Sequence, residues 1–167
     1  MGHGPASVRG LRAVSFWLVI IVAVLVDQAT KAAVRARVPE GAHARLIPGV
    51  MDLTRVQNTG AAFSVGEGKG LLFVAIALFT VVVCCYLVWT QELPLTLAIA
   101  LGFVSGGGLG NMIDRLALGA VTDFLSLSFV SFPVFNVADV FVTLGVGCAL
   151  VGWWVWDVRR ARQDERG

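Results

Sequence analysis

Hydrophobic residues along the chain gather into four long runs, separated by polar segments that glycine and proline punctuate. The runs extend roughly from Ala13 to Val26, Leu71 to Trp89, Leu95 to Met112 and Phe132 to Trp156. The second and third hold no charged residue, and each has about the 18 to 20 residues a helix needs to cross ~30 Å of hydrocarbon. The first is short by itself and becomes a span only if it continues through Asp27 and Lys31 to Val34. The pattern therefore predicts spans over approximately 13–34, 71–89, 95–112 and 134–156. Between the first two, Pro39, Pro48 and Gly49 break a mixed segment in which "VMDLTRVQN" partly alternates with the period of a strand. A second alternating piece is "DFLSLSFV", where Leu125, Leu127 and Phe129 face one way and Ser126 and Ser128 the other. Both pieces fall in loops on the same side of the spans. Open sheet edges are unstable in lipid, so a small sheet pairing them belongs at the membrane interface.

Composition agrees. The chain has 167 residues, 57% hydrophobic and 14% charged, too apolar for an ordinary soluble domain, and the length suits a single membrane-embedded domain over 1–167. Arg9 and Arg12 ahead of an apolar stretch resemble a secretory signal, but "VDQATKAAV" offers no clean small-x-small cleavage site. A retained first helix and four spans put both termini on one side. Charge does not fix which side: six basic residues fall with the termini and seven opposite. The "RRARQDER" cluster abutting the last span favours cytoplasmic termini. Cys84, Cys85 and Cys148 lie inside apolar runs without CxxC spacing or a nearby histidine, so they read as small buried hydrophobes. No metal site and no cofactor are expected.

Polar residues within or beside spans are candidates for function. Asp27 and Lys31 stand four apart with the acid N-terminal, the favourable order for a same-face pair. In "GNMIDR", Asn111 precedes Asp114 and Arg115 by three and four residues on one helical face. Asn136, Asp139 and Thr143 share a face of the last helix, and Asp123 lies in "GAVTDFL" after the third. Gly102, Gly106 and Gly110 form a small-xxx-small stripe suited to close helix approach. "GGGLGN" lacks the Lys-Ser/Thr of a phosphate loop and sits in an apolar run, which again points to packing.

An intramembrane carboxylate costs roughly 2.5 to 3.5 kcal/mol on insertion scales and marks a proton path, an ion site or a catalyst. Two carboxylates held close cannot both ionise easily, so one keeps a proton. The ionised member can then take a proton from water while the protonated member hydrogen-bonds a scissile carbonyl oxygen. Asp139 follows Asp123 by sixteen positions across Pro133, which permits such a meeting without requiring it. The rival reading is a small ion or proton transporter with Asp27, Lys31, Asp114 and Asp139 as a relay; it predicts carboxylates spread through the membrane depth. A packing scaffold with buried polar staples explains the glycine stripe but not Asp123.

Five motifs in order, "VDQATK", "QNTGAAFS", "GNMIDR", "VTDF" and "FNVAD", make the chain resemble the lipoprotein signal peptidases, or signal peptidases II, the bacterial membrane aspartyl proteases. The resemblance covers most of the chain and leaves out "MGHGPASVRG" and the C-terminal tail. It implies an all-α membrane fold, four transmembrane helices with a small extracytoplasmic β-sheet cradle and a surface helix. It implies catalytic Asp123 and Asp139, with Asn58, Asn111, Arg115 and Asn136 contacting the substrate backbone and Asp27, Lys31 and Asp114 holding the architecture. The implied substrate is a diacylglyceryl-modified prolipoprotein, cut just before its lipidated cysteine. The setting is a bacterial cytoplasmic (inner) membrane, with termini cytoplasmic and the site extracytoplasmic. The expected partners are this substrate and membrane lipid, with no nucleic acid and a monomeric enzyme. Small residues in "NTGAAFS" suit a mobile flap over a lipid-open groove.

Overall fold

The structure is a computed structural model that describes residues 5–60 and 66–164, with side chains in the terminal helices from Val8 to Arg162. The elements follow as α1 (Pro5–Arg37), β1 (His43–Ile47), β2 (Met51–Asn58), α2 (Gly70–Thr90), α3 (Leu95–Leu118), β3 (Val121–Leu127) and α4 (Val137–Asp164). All four helices are long and apolar enough to cross a bilayer. The segment "AAFSV", on which the flap expectation falls, lies outside the described residues, and no separate surface helix occurs among the described ones.

The helices outrun the apolar runs that predict them. α1 has 33 residues, about 50 Å at 1.5 Å per residue, well beyond the hydrocarbon thickness. α3 continues past Met112 to Leu118, because Asp114 turns its carboxylate into the protein rather than to lipid, and Gly119 ends it in the left-handed conformation at φ 75°. α4 starts at Val137, later than the apolar run suggests: Phe132 to Val134 is neither helix nor strand, and Phe135 exchanges backbone hydrogen bonds with Leu125 at 2.8 and 2.9 Å. Pro133 disfavours helix at Phe132, and the Phe135 pairing with Leu125 followed by the Asn136 cap sets the helix start at Val137.

α3 is the central helix. Half of its most apolar window is buried inside the protein, against 11% in α2 and α4, whose remaining apolar faces are left for lipid. The glycine stripe does what its spacing suggests. A Cβ at Gly102 would meet the Phe16 carbonyl at 3.0 Å, and one at Gly106 the Ala23 side chain at 2.7 Å, so the stripe lets α1 lie directly on α3. Gly107 serves the opposite face, where a Cβ would collide with the Ala138 carbonyl oxygen of α4. Of the cysteines, Cys84 is buried as expected, whereas Cys148 lies exposed on α4, where only lipid would cover it.

The sheet has the order β1-β2-β3 and is antiparallel throughout. Both strand-like pieces of the sequence pair as anticipated, with Leu53 opposite Leu125, and an irregularity between Leu53 and Val56 brings Val56 opposite Asp123 and Asn58 opposite Val121. β1 carries no signal in the sequence, because every residue of "HARLI" is exposed and no apolar face is needed. β2 is anchored to the end of α1 by Arg55, whose Nη1 donates to the carbonyls of Arg35 and Val38 at 3.2 and 2.9 Å, two of the acceptors a helix C-terminus leaves open. At the far end of the bundle, buried Arg12 donates to the Gln91 and Leu93 carbonyls at 2.9 and 3.1 Å and ties α1 to the α2–α3 turn.

Candidate active site

Two polar clusters meet where α1, the end of α3, β3 and the start of α4 converge. The deeper one is an ion-paired knot. Lys31 Nζ lies 2.9 Å from Asp27 and 3.5 Å from Asp114, and all three side chains are essentially inaccessible. Asp27 also accepts from the Ala138 backbone N–H at 3.0 Å, one of the donors left open at the start of α4. Asp114 accepts from the Thr122 N–H at 2.9 Å at the start of β3 and lies 3.6 Å from Arg35. Gln28 spans the gap, its Nε2 lying 3.1 Å from Asp27, from Asp114 and from the Gly110 carbonyl, so that two N–H groups are shared among three acceptors. Buried charge is costly unless paired and hydrogen-bonded, and these charges are both. The knot fixes α1, α3, β3 and α4 relative to one another.

Against it sits the second cluster, built around Asp123 on β3 and Asp139 in the first turn of α4. Asp123 accepts from Asn58 Nδ2 at 2.9 Å and from Asn136 Nδ2 at 2.6 Å, one donor to each carboxylate oxygen. Asp139 accepts from Asn111 Nδ2 at 2.8 Å and from the Asn136 backbone N–H at 3.0 Å, again one to each oxygen. The Asp139 N–H returns a 3.1 Å bond to Asn136 Oδ1. That reciprocity is a capping box, with Asn136 as N-cap and Asp139 three residues on, so this carboxylate also closes the end of its own helix. Asn111 Oδ1 receives Lys31 Nζ at 2.8 Å and Asn136 Nδ2 at 3.0 Å, which joins the two clusters.

Arg115 and Asp114, adjacent in sequence, part company. Asp114 faces the knot, while Arg115 donates to the Gly60 carbonyl at 2.8 Å and to the Asn111 carbonyl at 3.3 Å, with its guanidinium 4.9 Å from the Phe73 ring centre. Both aspartates open onto a cavity of about 520 Å³. Asn58, Asn111 and Arg115 contribute its polar wall, and Phe132 to Phe135 with Val140, Thr143 and Leu144 its apolar one. Burial pushes the Asp123 carboxyl up to about 6; the Asn58 donor opposes this, the neighbouring Asp139 charge adds to it, and Asn136 and Lys31 oppose it in turn.

The sequence-predicted residues therefore converge, with two distinctions that spacing does not reveal. Thr143 lines the cavity with Asp139 as their shared face suggests, but Asn136 precedes the helix and is absent from the cavity wall. The Phe132–Phe135 wall is the residue set that sequence reasoning misses, since it reads as the beginning of a span. Pro133 is the signal against helix there. Among the described residues no cluster of three or more His, Cys, Asp or Glu suits a metal ion.

Residues 19–155 match the family model described as signal peptidase (SPase) II. A lipoprotein signal peptidase of Lactiplantibacillus plantarum is 38% identical over 137 residues, 81% of this chain and 92% of the relative. One from Symbiobacterium thermophilum is 46% identical over 130 residues, 76% of this chain and 86% of the relative. Among solved structures, a bacterial membrane enzyme determined by the in meso method at 2.3 Å superposes with a TM-score of 0.77 at 28% identity, covering 83% of this chain and 87% of that one. Paired aspartates on an apolar cavity, a four-helix membrane body and a match over most of the length agree: the chain belongs to the signal peptidase II family.

Proposed function

We propose that this chain is an aspartic endopeptidase that removes the signal peptide from prolipoproteins, cutting just before a cysteine that carries diacylglycerol. The observation that carries the reading is the placement of Asp123 and Asp139 on the wall of one apolar cavity, joined through a single asparagine. A cavity whose far wall is Phe132, Val134, Val140 and Leu144 suits acyl chains and a signal helix, while the polar wall reaches one peptide bond.

Asp139, as carboxylate, takes a proton from a water whose oxygen attacks the scissile carbonyl carbon. Asp123, as carboxylic acid, gives its proton to the carbonyl oxygen. The tetrahedral diol then collapses: a hydroxyl proton returns to Asp123, the C–N bond breaks, and the amine leaves with the proton held by Asp139. Substrate filling the cavity displaces water and desolvates Asp123 further, which favours its protonated form during the reaction. Asn58, Asn111 and Arg115 stand on the same wall, where their polar groups can meet the substrate backbone. Asp27, Lys31 and Asp114 hold the helices.

The enzyme acts as a monomer in a bacterial cytoplasmic membrane, in contact with its lipid. Its termini are cytoplasmic, an orientation supported by Arg159, Arg160 and Arg162 next to the last span. The cavity then opens at the extracytoplasmic end. The test is cleavage of a diacylglyceryl-modified prolipoprotein by purified protein, with EDTA throughout, comparing wild type with Asp139→Asn. A mass drop equal to the signal peptide in wild type alone supports the reading. Intact substrate with wild type, while a known signal peptidase II processes it, overturns it. Equal cleavage by the variant removes Asp139 from the chemistry.

A further inference from the structure

We infer that Asn136 is a positioning residue that clamps the two aspartates to each other, rather than a residue that binds substrate; the inference rests on the dyad reading above. The geometry leaves it nothing with which to bind. Its side chain is fully buried, at 0% exposure, and it contributes no surface to the cavity that Asp123, Asp139, Asn58, Asn111 and Arg115 line. A primary amide has two N–H donors, and both Nδ2 bonds are taken, by Asp123 Oδ1 and Asn111 Oδ1. Its Oδ1 accepts the Asp139 N–H, its own N–H goes to Asp139 Oδ2, and its carbonyl accepts from Val140 at 3.4 Å.

Each of these bonds fixes a different member of the site. The backbone N–H sets the rotation of the Asp139 carboxylate, and Nδ2 sets that of Asp123. The second Nδ2 hydrogen, together with the Lys31 ammonium, occupies Asn111 Oδ1 and leaves the Asn111 amino group turned to Asp139. Asn136 alone touches both carboxylates among the hydrogen bonds of the described residues. Cap and clamp are separate atoms of one side chain: Oδ1 caps α4, and Nδ2 clamps the dyad. A hydroxyl can replace the first without replacing the second, because serine is as good an N-cap as asparagine.

Asn136→Ser therefore separates the roles. Wild type and variant are compared in one assay with the lipid-modified prolipoprotein, reading kcat, KM, the pH dependence of kcat/KM and the thermal midpoint. The thermal midpoint is expected to hold within a few degrees, and KM within about twofold. kcat is expected to fall about 100-fold through the misplaced carboxylate, with the basic limb of kcat/KM moving up by about one pH unit as Asp123 loses a donor to its anion. A raised KM with kcat and the limb intact makes Asn136 a substrate contact and overturns the inference, as does full activity. If Asn136→Ser fails to fold, Asn136→Thr supplies a second hydroxyl cap and still lacks the amide donors; the same kcat loss is expected. Unfolding of both variants shows that cap and clamp cannot be separated, which also overturns it. Absence of cleavage by wild type refutes the peptidase reading instead.

Discussion

Replacing Asn58 by alanine tests whether Asp123 carries the shared proton. Asn58 Nδ2 donates to Asp123 Oδ2 at 2.9 Å and is the strongest influence opposing burial there. With the carboxyl at about 6, the acid form makes up on the order of a tenth of free enzyme at pH 7. If that form is needed, kcat/KM declines above pH 6 by about tenfold per pH unit. A hydrogen bond to a charged acceptor contributes about 1.5 to 3 kcal/mol, so its loss raises the midpoint by about one to two pH units. The basic limb of Asn58→Ala is thus expected near pH 7 to 8. The plateau is expected to fall too, since Asn58 stands on the cavity wall and its Oδ1 holds the Gly60 N–H at 2.9 Å. Limb position is independent of plateau height, which makes it the useful readout. The assay is initial-rate cleavage of a lipid-modified prolipopeptide from pH 4.5 to 9 in fixed lipid and detergent. A limb that stays in place, or moves to lower pH, refutes the assignment of the proton to Asp123.

Other consequences follow from the same contacts. Asp123 has a folded-state value above the unfolded ~3.9, so the native state binds the extra proton between about pH 4 and 6 and loses the associated stability as pH rises through that window. That difference amounts to about 3 kcal/mol at most, and a thermal melt at pH 4.5 and 7 should show wild type gaining on Asp123→Asn toward acid; equal pH dependence in the two would contradict it. Lys31→Met leaves Asp27 buried without a cation and Asp114 with Arg35 alone, and should cost about 3 to 5 kcal/mol, read as loss of folded yield in detergent; unchanged yield would show the knot to be dispensable. Gly107→Ala places a Cβ on the Ala138 carbonyl and 2.7 Å from Val142, pushing α4 off α3 at a cost of about 1 to 3 kcal/mol. Gly147→Ala, with open space around its Cβ, is the matched control whose melt is expected not to fall.

Legibility in the sequence tracked where the physics is local. Four spans could be read because lipid demands long uninterrupted apolar runs, and β2 and β3 because Leu125, Leu127 and their partners alternate. Helix ends were harder. Asp114 at the end of α3 looks like a reason to stop and is instead buried against Lys31 on another helix, a partner 83 positions away that no window sees. β1 stayed hidden because an exposed strand needs no pattern. The motifs supplied which residues gather at the site and implied a role for each, but not which of them reach the cavity. The difference between Asn111, which reaches the cavity, and Asn136, which does not, is one of burial and hydrogen-bond capacity.

A carboxylate at the start of a spanning helix nevertheless had a local explanation in plain view. "NVAD" is a capping box, and reading it as one changes the meaning of Asp139. The N-terminus of α4 offers unsatisfied N–H groups and the positive end of the helix dipole, so a carboxylate there is stabilised where one in mid-span would be expelled. Asp27 reaches across from α1 to satisfy another of these donors at Ala138. Phe135 pairs with β3 through Leu125 and sets this helix end beside Asp123. The acid is therefore placed by the same bonds that begin the helix, and the site's geometry is as stiff as the start of α4. Any substitution that frays that turn should lower kcat as well as the thermal midpoint, and Gly107→Ala, which presses on Ala138 and Val142, is one such change. A melt that falls while kcat holds would show that the dyad does not depend on the cap.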